Sequence, residues 1–219
     1  MEANKTTRRD EVSRQTLEAG LVEVSRAFDP GELAYLALTS KPEGAIRDRL
    51  AWALYLDGRR VAREWRERCD LAVLDDDGEP LALIEFKATY SHSTSWGWKP
   101  ALREISERLG ARTAFEAMLR ADAEKALRLC GDGEGYLFLA VMHRHDPVQA
   151  AMRELIAEGN RPIADRAAAE RDLLSYLSPL GDVGQRIELG AGEAFGIPMA
   201  VNDWLCGPLA PVIQWQGMA

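Results

Sequence analysis

The 219-residue chain lacks a long apolar segment and contains few cysteines. No stretch approaches the roughly 20 apolar residues that a membrane span needs. The charged N-terminus has no apolar stretch behind it, so we expect no secretory signal. The three cysteines, Cys69, Cys130 and Cys206, are too few and too far apart for a disulfide framework or a CxxC metal knuckle. These absences favour a reducing, cytoplasmic location.

A positive net charge is also missing. The formal net charge is −8, whereas proteins that coat nucleic acid without regard to sequence usually carry a basic domain. That class is therefore disfavoured, but the net charge does not exclude a local basic groove. We see no internal repeat, low-complexity tract or obvious linker, and 47% hydrophobic with 28% charged residues is typical of a globular protein.

We expect a mixed α/β protein in three parts. The predicted parts are an N-terminal helical lead-in (1–39), an α/β core (40–147) and a C-terminal extension packed on the core (148–219). Helical spacing of apolar residues predicts helices at 16–26, 32–38, 42–56 and about 100–129, and two helical pieces within 148–178. Short or continuous apolar runs predict strands at 136–142, 186–189, 199–201 and 212–215.

The stretch from residue 61 to 90, VAREWRERCDLAVLDDDGEPLALIEFKATY, carries the clearest functional signal. It predicts three short strands, the first over 60–65, with an Asp-Gly turn at 75–78 joining the second and third. Asp70 opens the second strand, and Glu85 and Lys87 close the third. A period of two residues directs Glu85 and Lys87 to one face, and the hairpin folds Asp70 back beside Glu85. The pattern predicts a metal site with a lysine beside it.

Two acids of the predicted helix at 42–56 are candidates to complete that site. Glu43 lies three residues after Ser40, which is also the spacing of a capping box, so a structural role is equally open. Asp48 lies about one and a half turns further, on a different helical face. Arg47 is adjacent and is expected to pair with an acid or to contact phosphate.

Phosphate contacts are expected from a basic run that leads into Asp70. Its members are Arg59, Arg60, Arg63, Arg66 and Arg68. A solvated strand surface is the alternative. The polar loop after Lys87 contains His92, a candidate substrate contact or an ordinary loop histidine, and Trp96 and Trp98, which could stack on bases or pack on the long helix.

The order helix, strand, two-stranded hairpin, helix, strand, with Asp70 and the Glu85-x-Lys87 pair in these positions, resembles the PD-(D/E)xK nuclease superfamily. The resemblance covers roughly residues 43–145 and departs from the family where Cys69 replaces a proline. It implies a restriction-endonuclease-like core in which Asp70 and Glu85 ligate Mg²⁺, or Mn²⁺ as a substitute. It further implies that the backbone carbonyl of Phe86 completes the coordination and that Lys87 orients or activates the attacking water.

Phosphodiester hydrolysis explains these residue types independently of the family. The transition state places extra negative charge on phosphate oxygens, which a hard divalent cation can neutralise, and carboxylates are suitable ligands for that cation. The predicted function is therefore a metal-dependent nuclease acting on DNA. Cleavage of both strands by a domain with one site would be simplest in a symmetric homodimer.

Three alternatives stay open at this stage. The site residues could belong to an inactive nuclease-fold binding or scaffold protein. The chain could be a small α/β enzyme unrelated to nucleic acid, which its acidic balance favours. Finally, Glu85 and Lys87 could be edge-strand solubility charges, with Asp70 an ordinary strand-start acid.

Overall fold

The computed structural model describes residues 12–40, 42–90, 111–144, 171, 174–194 and 196–210, and the structural statements below concern these residues. The helices are α1 (Arg14–Ala27), α2 (Pro30–Thr39), α3 (Glu43–Leu56), the short distorted α4 (Trp65–Arg68) and α5 (Ala111–Cys130). The strands are β1 (Arg60–Glu64), β2 (Cys69–Leu74), β3 (Pro80–Tyr90), β4 (Glu134–Arg144), β5 (Gly181–Val183), β6 (Ile187–Ala194) and β7 (Ile197–Leu209).

The strands form one seven-stranded sheet in the order β1-β2-β3-β4-β7-β5, with β6 also paired to β7. Only the β3–β4 pairing is parallel, and every other pairing described is antiparallel. The parallel pair is joined through α5, because parallel neighbours need a crossover connection. The expected mixed α/β class is confirmed, with a mostly antiparallel sheet.

Helices cover both faces of the sheet. One hydrophobic core joins α1, α2 and α3 to alternate residues of the strands, and a second core joins α5 and residues 174–180 to the opposite face. Strand β4 contributes to both cores, as its continuous apolar run predicts, and residues 136–142 are all buried. The chain therefore forms three layers with the sheet in the middle.

Local pattern predicted several elements closely. Predicted helices at 16–26, 32–38 and 42–56 correspond to α1, α2 and α3, and the Asp-Gly turn joins β2 to β3. The C-terminal strands are longer than predicted: β7 spans 13 residues and hydrogen-bonds to β4. The predicted helix start at 100 and the strand at 212–215 lie outside the described residues.

One prediction about β3 was wrong in a way that matters for the site. Lys87 was expected to end the strand, but β3 continues to Tyr90, since it pairs with β4 as far as Met142. Its ladder with β2 ends much earlier, at the Leu71–Ile84 pair. Beyond Ile84, β3 is therefore held on its β4 side while its β2 side is free of ladder bonds.

No helix among the described residues has both the length and the apolar character needed to cross a membrane.

Candidate functional site

Two carboxylates occupy the free side of β3. The backbone N–H of Phe86 donates to Asp70 Oδ2 at 2.8 Å, and that of Ala88 donates to Glu43 Oε2 at 2.8 Å. In a strand, the N–H and C=O groups of one residue point to the same side, and those of the residue two positions along point to that side as well. The Phe86 carbonyl therefore points to the side on which Asp70 and Glu43 lie. The two acids take the place that a longer β2 would fill.

The face of β3 that carries Glu85 and Lys87 meets α5. Lys125 Nζ lies 2.7 Å from Glu85 Oε1, and Lys87 Nζ lies 2.9 Å from Asp122 Oδ2. Residues two apart on a strand are thus matched with residues three apart on a helix, each acid against a lysine of the other element. We call Glu85, Lys87, Asp122 and Lys125 the charge quartet.

The antiparallel register places Asp70 on the same side of the sheet as Glu85. The β2–β3 ladder pairs Leu71 with Ile84 and Ala72 with Leu83, so one step further Asp70 lies opposite Glu85. Ala72 and Leu83 belong to the core under α5, and side chains two residues along a strand share a face. The predicted juxtaposition of Asp70, Glu85 and Lys87 on one face is what the structure has.

Glu85 is only 1% exposed, although it carries a carboxyl group. Burial raises the pKa of Glu85 to about 7; Lys125 opposes the rise, and the negative charges of Asp70 and Asp122 add to it. The carboxyl is therefore poised to change protonation near neutral pH. A buried carboxylate that stays ionisable needs a nearby cation, which Lys125 supplies.

The quartet's acids retain unused acceptor capacity. Glu85 Oε1 and Asp122 Oδ2 are buried, and each has one ammonium nitrogen within 3 Å, Lys125 Nζ beside Glu85 and Lys87 Nζ beside Asp122. The short N–O distances identify these contacts as ion pairs, and because a carboxylate has about four lone-pair sites, each acid can still accept from another donor or bind a cation.

Lys87 is held in its charged form. Burial lowers its pKa, but the carboxylates of Asp122, Glu43 and Asp70 outweigh that effect and raise the pKa above its usual value. An ammonium with a raised pKa donates hydrogen bonds and cannot act as a base at neutral pH. Lys87 can therefore orient a water or stabilise a phosphate oxygen.

The structure separates the two candidate helix acids. Glu43 reaches β3, and the alternative role that its spacing allowed, in a capping box, does not apply, because the helix cap is Pro42 without a side-chain hydrogen bond. Asp48 faces β1 and pairs with Arg47 at 3.0 Å and with Arg63 at 3.0 Å. Glu43 is brought to the site and Asp48 is not.

The basic residues expected to contact phosphate are engaged with acids of the same chain. Arg47 pairs with Asp48, with Glu64 and, at 3.7 Å, with Asp70. The pairs of the basic run are Arg59–Asp57, Arg60–Asp76, Arg63–Asp48, Arg66–Glu79 and Arg68–Glu64, with N–O distances of 3.6, 3.0, 3.0, 3.2 and 3.5 Å. Any phosphate would have to compete with these carboxylates. His92, Trp96 and Trp98 lie outside the described residues.

The chemistry of the donor set fits a divalent cation, but the donors are not gathered as a bound ion requires. Carboxylate and carbonyl oxygens from Glu43, Asp70, Glu85 and Phe86 are the ligands that Mg²⁺ and Mn²⁺ accept. Within the described ranges, however, no three His, Cys, Asp or Glu side chains form a group tight enough for a metal. The lone pairs of the Glu85 carboxylate that Lys125 does not engage are the feature that a cation would satisfy.

Sequence reasoning identified neither Asp122 nor Lys125 as a site residue. One signal was present. Asp122 directly precedes Ala123 and Lys125 directly precedes Ala126, and both alanines are buried in the core between α5 and the sheet. Charged residues next to the buried stripe of a helix lie over the edge of its contact with the sheet. The crossover from β3 through α5 to β4 sets that helix against β3.

Comparisons with protein-family models, with curated proteins and with solved structures find no match for this chain.

Proposed function

We propose that the chain is a metal-dependent nuclease that hydrolyses phosphodiester bonds, with DNA as the favoured substrate. The observation that carries the proposal is the placement of Asp70 and Glu43 on backbone N–H groups of β3, next to Glu85 and Lys87, where β2 leaves β3. Four charged groups from three elements, α3, β2 and β3, lie near one another where β2 begins, and burial raises the pKa of Glu85 there to about 7. Such concentrations of perturbed groups favour a functional site over solubility charges.

In this proposal the oxygens of Glu43, Asp70 and Glu85 and the Phe86 carbonyl hold Mg²⁺. The bound cation would neutralise charge on the phosphate and lower the pKa of a coordinated water. The chain's own contribution is positioning. Asp122 fixes the Lys87 ammonium, and Lys87, which keeps its proton, donates toward the attacking water or a phosphate oxygen.

The site's position also supports a nucleic-acid substrate. Arg47 contacts Asp70 from α3, and Arg63 lies beside it through the shared partner Asp48. Guanidinium groups that exchange an internal carboxylate for a phosphate would give the local basic groove that the net charge of −8 does not exclude. The PD-(D/E)xK likeness of Asp70, Glu85 and Lys87 adds the expectation of a restriction-endonuclease-like core.

The test is cleavage of plasmid DNA, single-stranded DNA and RNA in Mg²⁺ or Mn²⁺. We expect wild-type cleavage of DNA, and a loss of at least about 1,000-fold in Glu85→Gln and Lys87→Met, since each substitution removes a charge used in the transition state. Glu79→Gln is the matched control, because Glu79 is a half-exposed acid of the β2–β3 turn paired with Arg66. Cleavage that survives both site substitutions would contradict the proposal.

A second candidate is a nuclease-fold binding protein without activity. The Glu85–Lys125 ion pair favours it, because an ammonium beside Glu85 offsets the negative charge that would hold a cation in a catalytic position. Calorimetry separates the two candidates: cation binding without cleavage of any nucleic acid supports the binding protein, and binding with cleavage supports the enzyme.

A further inference from the structure

The ammonium of Lys125 lies where it can control access of a cation to Glu85. Its Nζ is 2.7 Å from Glu85 Oε1, and the Lys125 side chain is 22% exposed while that of Glu85 is 2% exposed. A divalent ion would bond to a carboxylate oxygen at about 2.0 to 2.6 Å. The ammonium and the ion would then be near neighbours on one carboxylate, and like charges so close repel strongly in a partly buried site.

Lys125 has a second acceptor within reach. Its Nζ also lies 3.5 Å from the backbone carbonyl of Arg68, and the Glu67 carboxylate is near enough for Lys125 to help lower the Glu67 pKa. Glu67 is held in place by two hydrogen bonds from Arg128, at 2.7 and 2.6 Å. A lysine stem is flexible, so the ammonium can leave Glu85 for a prepared, partly exposed position.

The segment that offers this second position is conformationally special. Glu64, Glu67 and Arg68 all have left-handed backbone angles, with φ of 52°, 48° and 59°. Residues other than glycine adopt such angles at an energetic cost, and they persist only where surrounding contacts hold them. The bidentate Arg128–Glu67 contact is one such restraint, and the Lys125 contact with the Arg68 carbonyl is another.

From this geometry we propose that Lys125 is a resident competitor for the divalent cation at Glu85. Its ammonium neutralises Glu85 when no cation is present and shifts toward Arg68 and Glu67 when one binds. The inference rests on the divalent-cation site proposed above, and it assigns to Lys125 the setting of cation affinity. Lys125 is a positioning residue in this role, since it acts through Glu85.

The test is titration of the full chain with Mn²⁺ by isothermal calorimetry, at about pH 8.5 to limit competition from protons. We compare wild type with Lys125→Gln, which removes the ammonium, and with Lys125→Arg, which keeps a positive charge. We expect Lys125→Gln to bind Mn²⁺ about tenfold more tightly or better, and Lys125→Arg to bind like wild type or more weakly. Arg120→Gln is the matched control for charge removal, because Arg120 lies on the same helix and pairs with Glu116.

Glu85→Gln separates this inference from the function on which it rests. If wild type binds Mn²⁺, Glu85→Gln does not, and Lys125→Gln binds equally or less well, the competitor role is wrong and the cation site stands. If neither wild type nor Lys125→Gln binds, or if Glu85→Gln binds like wild type, the site itself is wrong and the inference falls with it.

A measurement on wild type covers the case in which Lys125→Gln does not fold. The chain contains five lysines, so reductive ¹³C-methylation gives few NMR signals. On addition of Mg²⁺ we expect the Lys125 signal to shift toward the value of an exposed lysine. A Lys125 signal that stays unchanged while Mg²⁺ binds would overturn the competitor role.

Discussion

The sheet buries a carboxyl group in two regions. The two groups differ in whether a positive charge lies nearby. Glu85 in β3 is 1% exposed and faces α5, where Lys125 lies 2.7 Å away. Asp203 in β7 is fully buried, and it shares the face of Val201 and Leu205, which pack in the core under α1, α2 and α3. Neither oxygen of Asp203 has a hydrogen-bond partner within the described part of the chain.

The difference shows what makes a buried acid usable. Burial raises both pKa values, but Lys125 limits the rise for Glu85 to about 7, whereas burial alone raises the pKa of Asp203 well above its ordinary value. Glu85 can therefore carry a charge near neutral pH and exchange one cation for another. Burial favours the protonated form of Asp203, so this carboxyl lowers the free energy of unfolding as pH rises and is less able than Glu85 to offer a charge to a ligand.

The largest loss of stability is expected at Asp122, whose carboxylate compensates the partly buried charge of Lys87. Asp122→Asn leaves the Lys87 ammonium without the carboxylate 2.9 Å away. Removing one partner of a buried pair costs about 3 to 5 kcal/mol. Since both side chains are about one-fifth exposed, we expect a loss near the lower limit, about 3 kcal/mol, measured by urea denaturation.

Glu116→Gln is the control for that measurement. It lies on the same helix and pairs with Arg120, but both side chains are about one-third exposed, so we expect a loss below about 0.5 kcal/mol. A loss at Asp122 as small as that of the control would mean that Glu43 and Asp70 alone keep Lys87 charged.

A smaller effect, on activity, should distinguish Glu43 from Asp48. Glu43→Gln keeps an oxygen that can accept from the Ala88 N–H but removes the charge beside Lys87. We expect activity to fall about 10- to 100-fold in Mn²⁺-dependent cleavage assays, equivalent to about 1.4 to 2.7 kcal/mol. Asp48→Asn, whose partners are Arg47 and Arg63, should cost no more than about threefold. An equal loss in both variants would contradict the assignment of Glu43.

Local pattern was sufficient for part of this site. The Asp-Gly turn and the two-residue period of strands predicted that Asp70, Glu85 and Lys87 would share a face, because turn chemistry and alternation depend on neighbours in the chain. The helical spacing of apolar residues predicted the helix before the hairpin and the long helix after it, because this spacing is also a local property of the chain.

The rest of the site depends on contacts distant in sequence. Glu43 matched the local spacing of a capping box, but the free Ala88 N–H, 45 residues away, takes its carboxylate instead. The positions of Asp122 and Lys125 at the site depend on how α5 is rotated about its axis against β3. The periodicity of apolar residues does not determine that rotation to better than about a turn. The extension of β3 to Tyr90 follows from its pairing with β4, a partner that no local signal reveals.

The smallest effect is expected at Asp203, where we consider how the free energy of unfolding depends on pH. Below the unfolded pKa of about 3.9, Asp203 is protonated in both the folded and the unfolded state and does not change the free energy of unfolding. As pH rises above that value, the unfolded chain loses the proton while the folded chain keeps it. The unfolded state is therefore favoured increasingly until the folded pKa is reached.

Asp203→Asn should remove this penalty, because an amide of nearly the same shape does not ionise. We expect the variant to be more stable than wild type by about 1 to 2 kcal/mol at pH 8, with the gain shrinking as pH falls toward 4, measured by urea denaturation at several pH values. Glu193→Gln, at an exposed position of β6, is the control and should show no such pH-dependent gain. A constant difference across pH would mean that Asp203 ionises in the folded protein, and the contrast with Glu85 would then disappear.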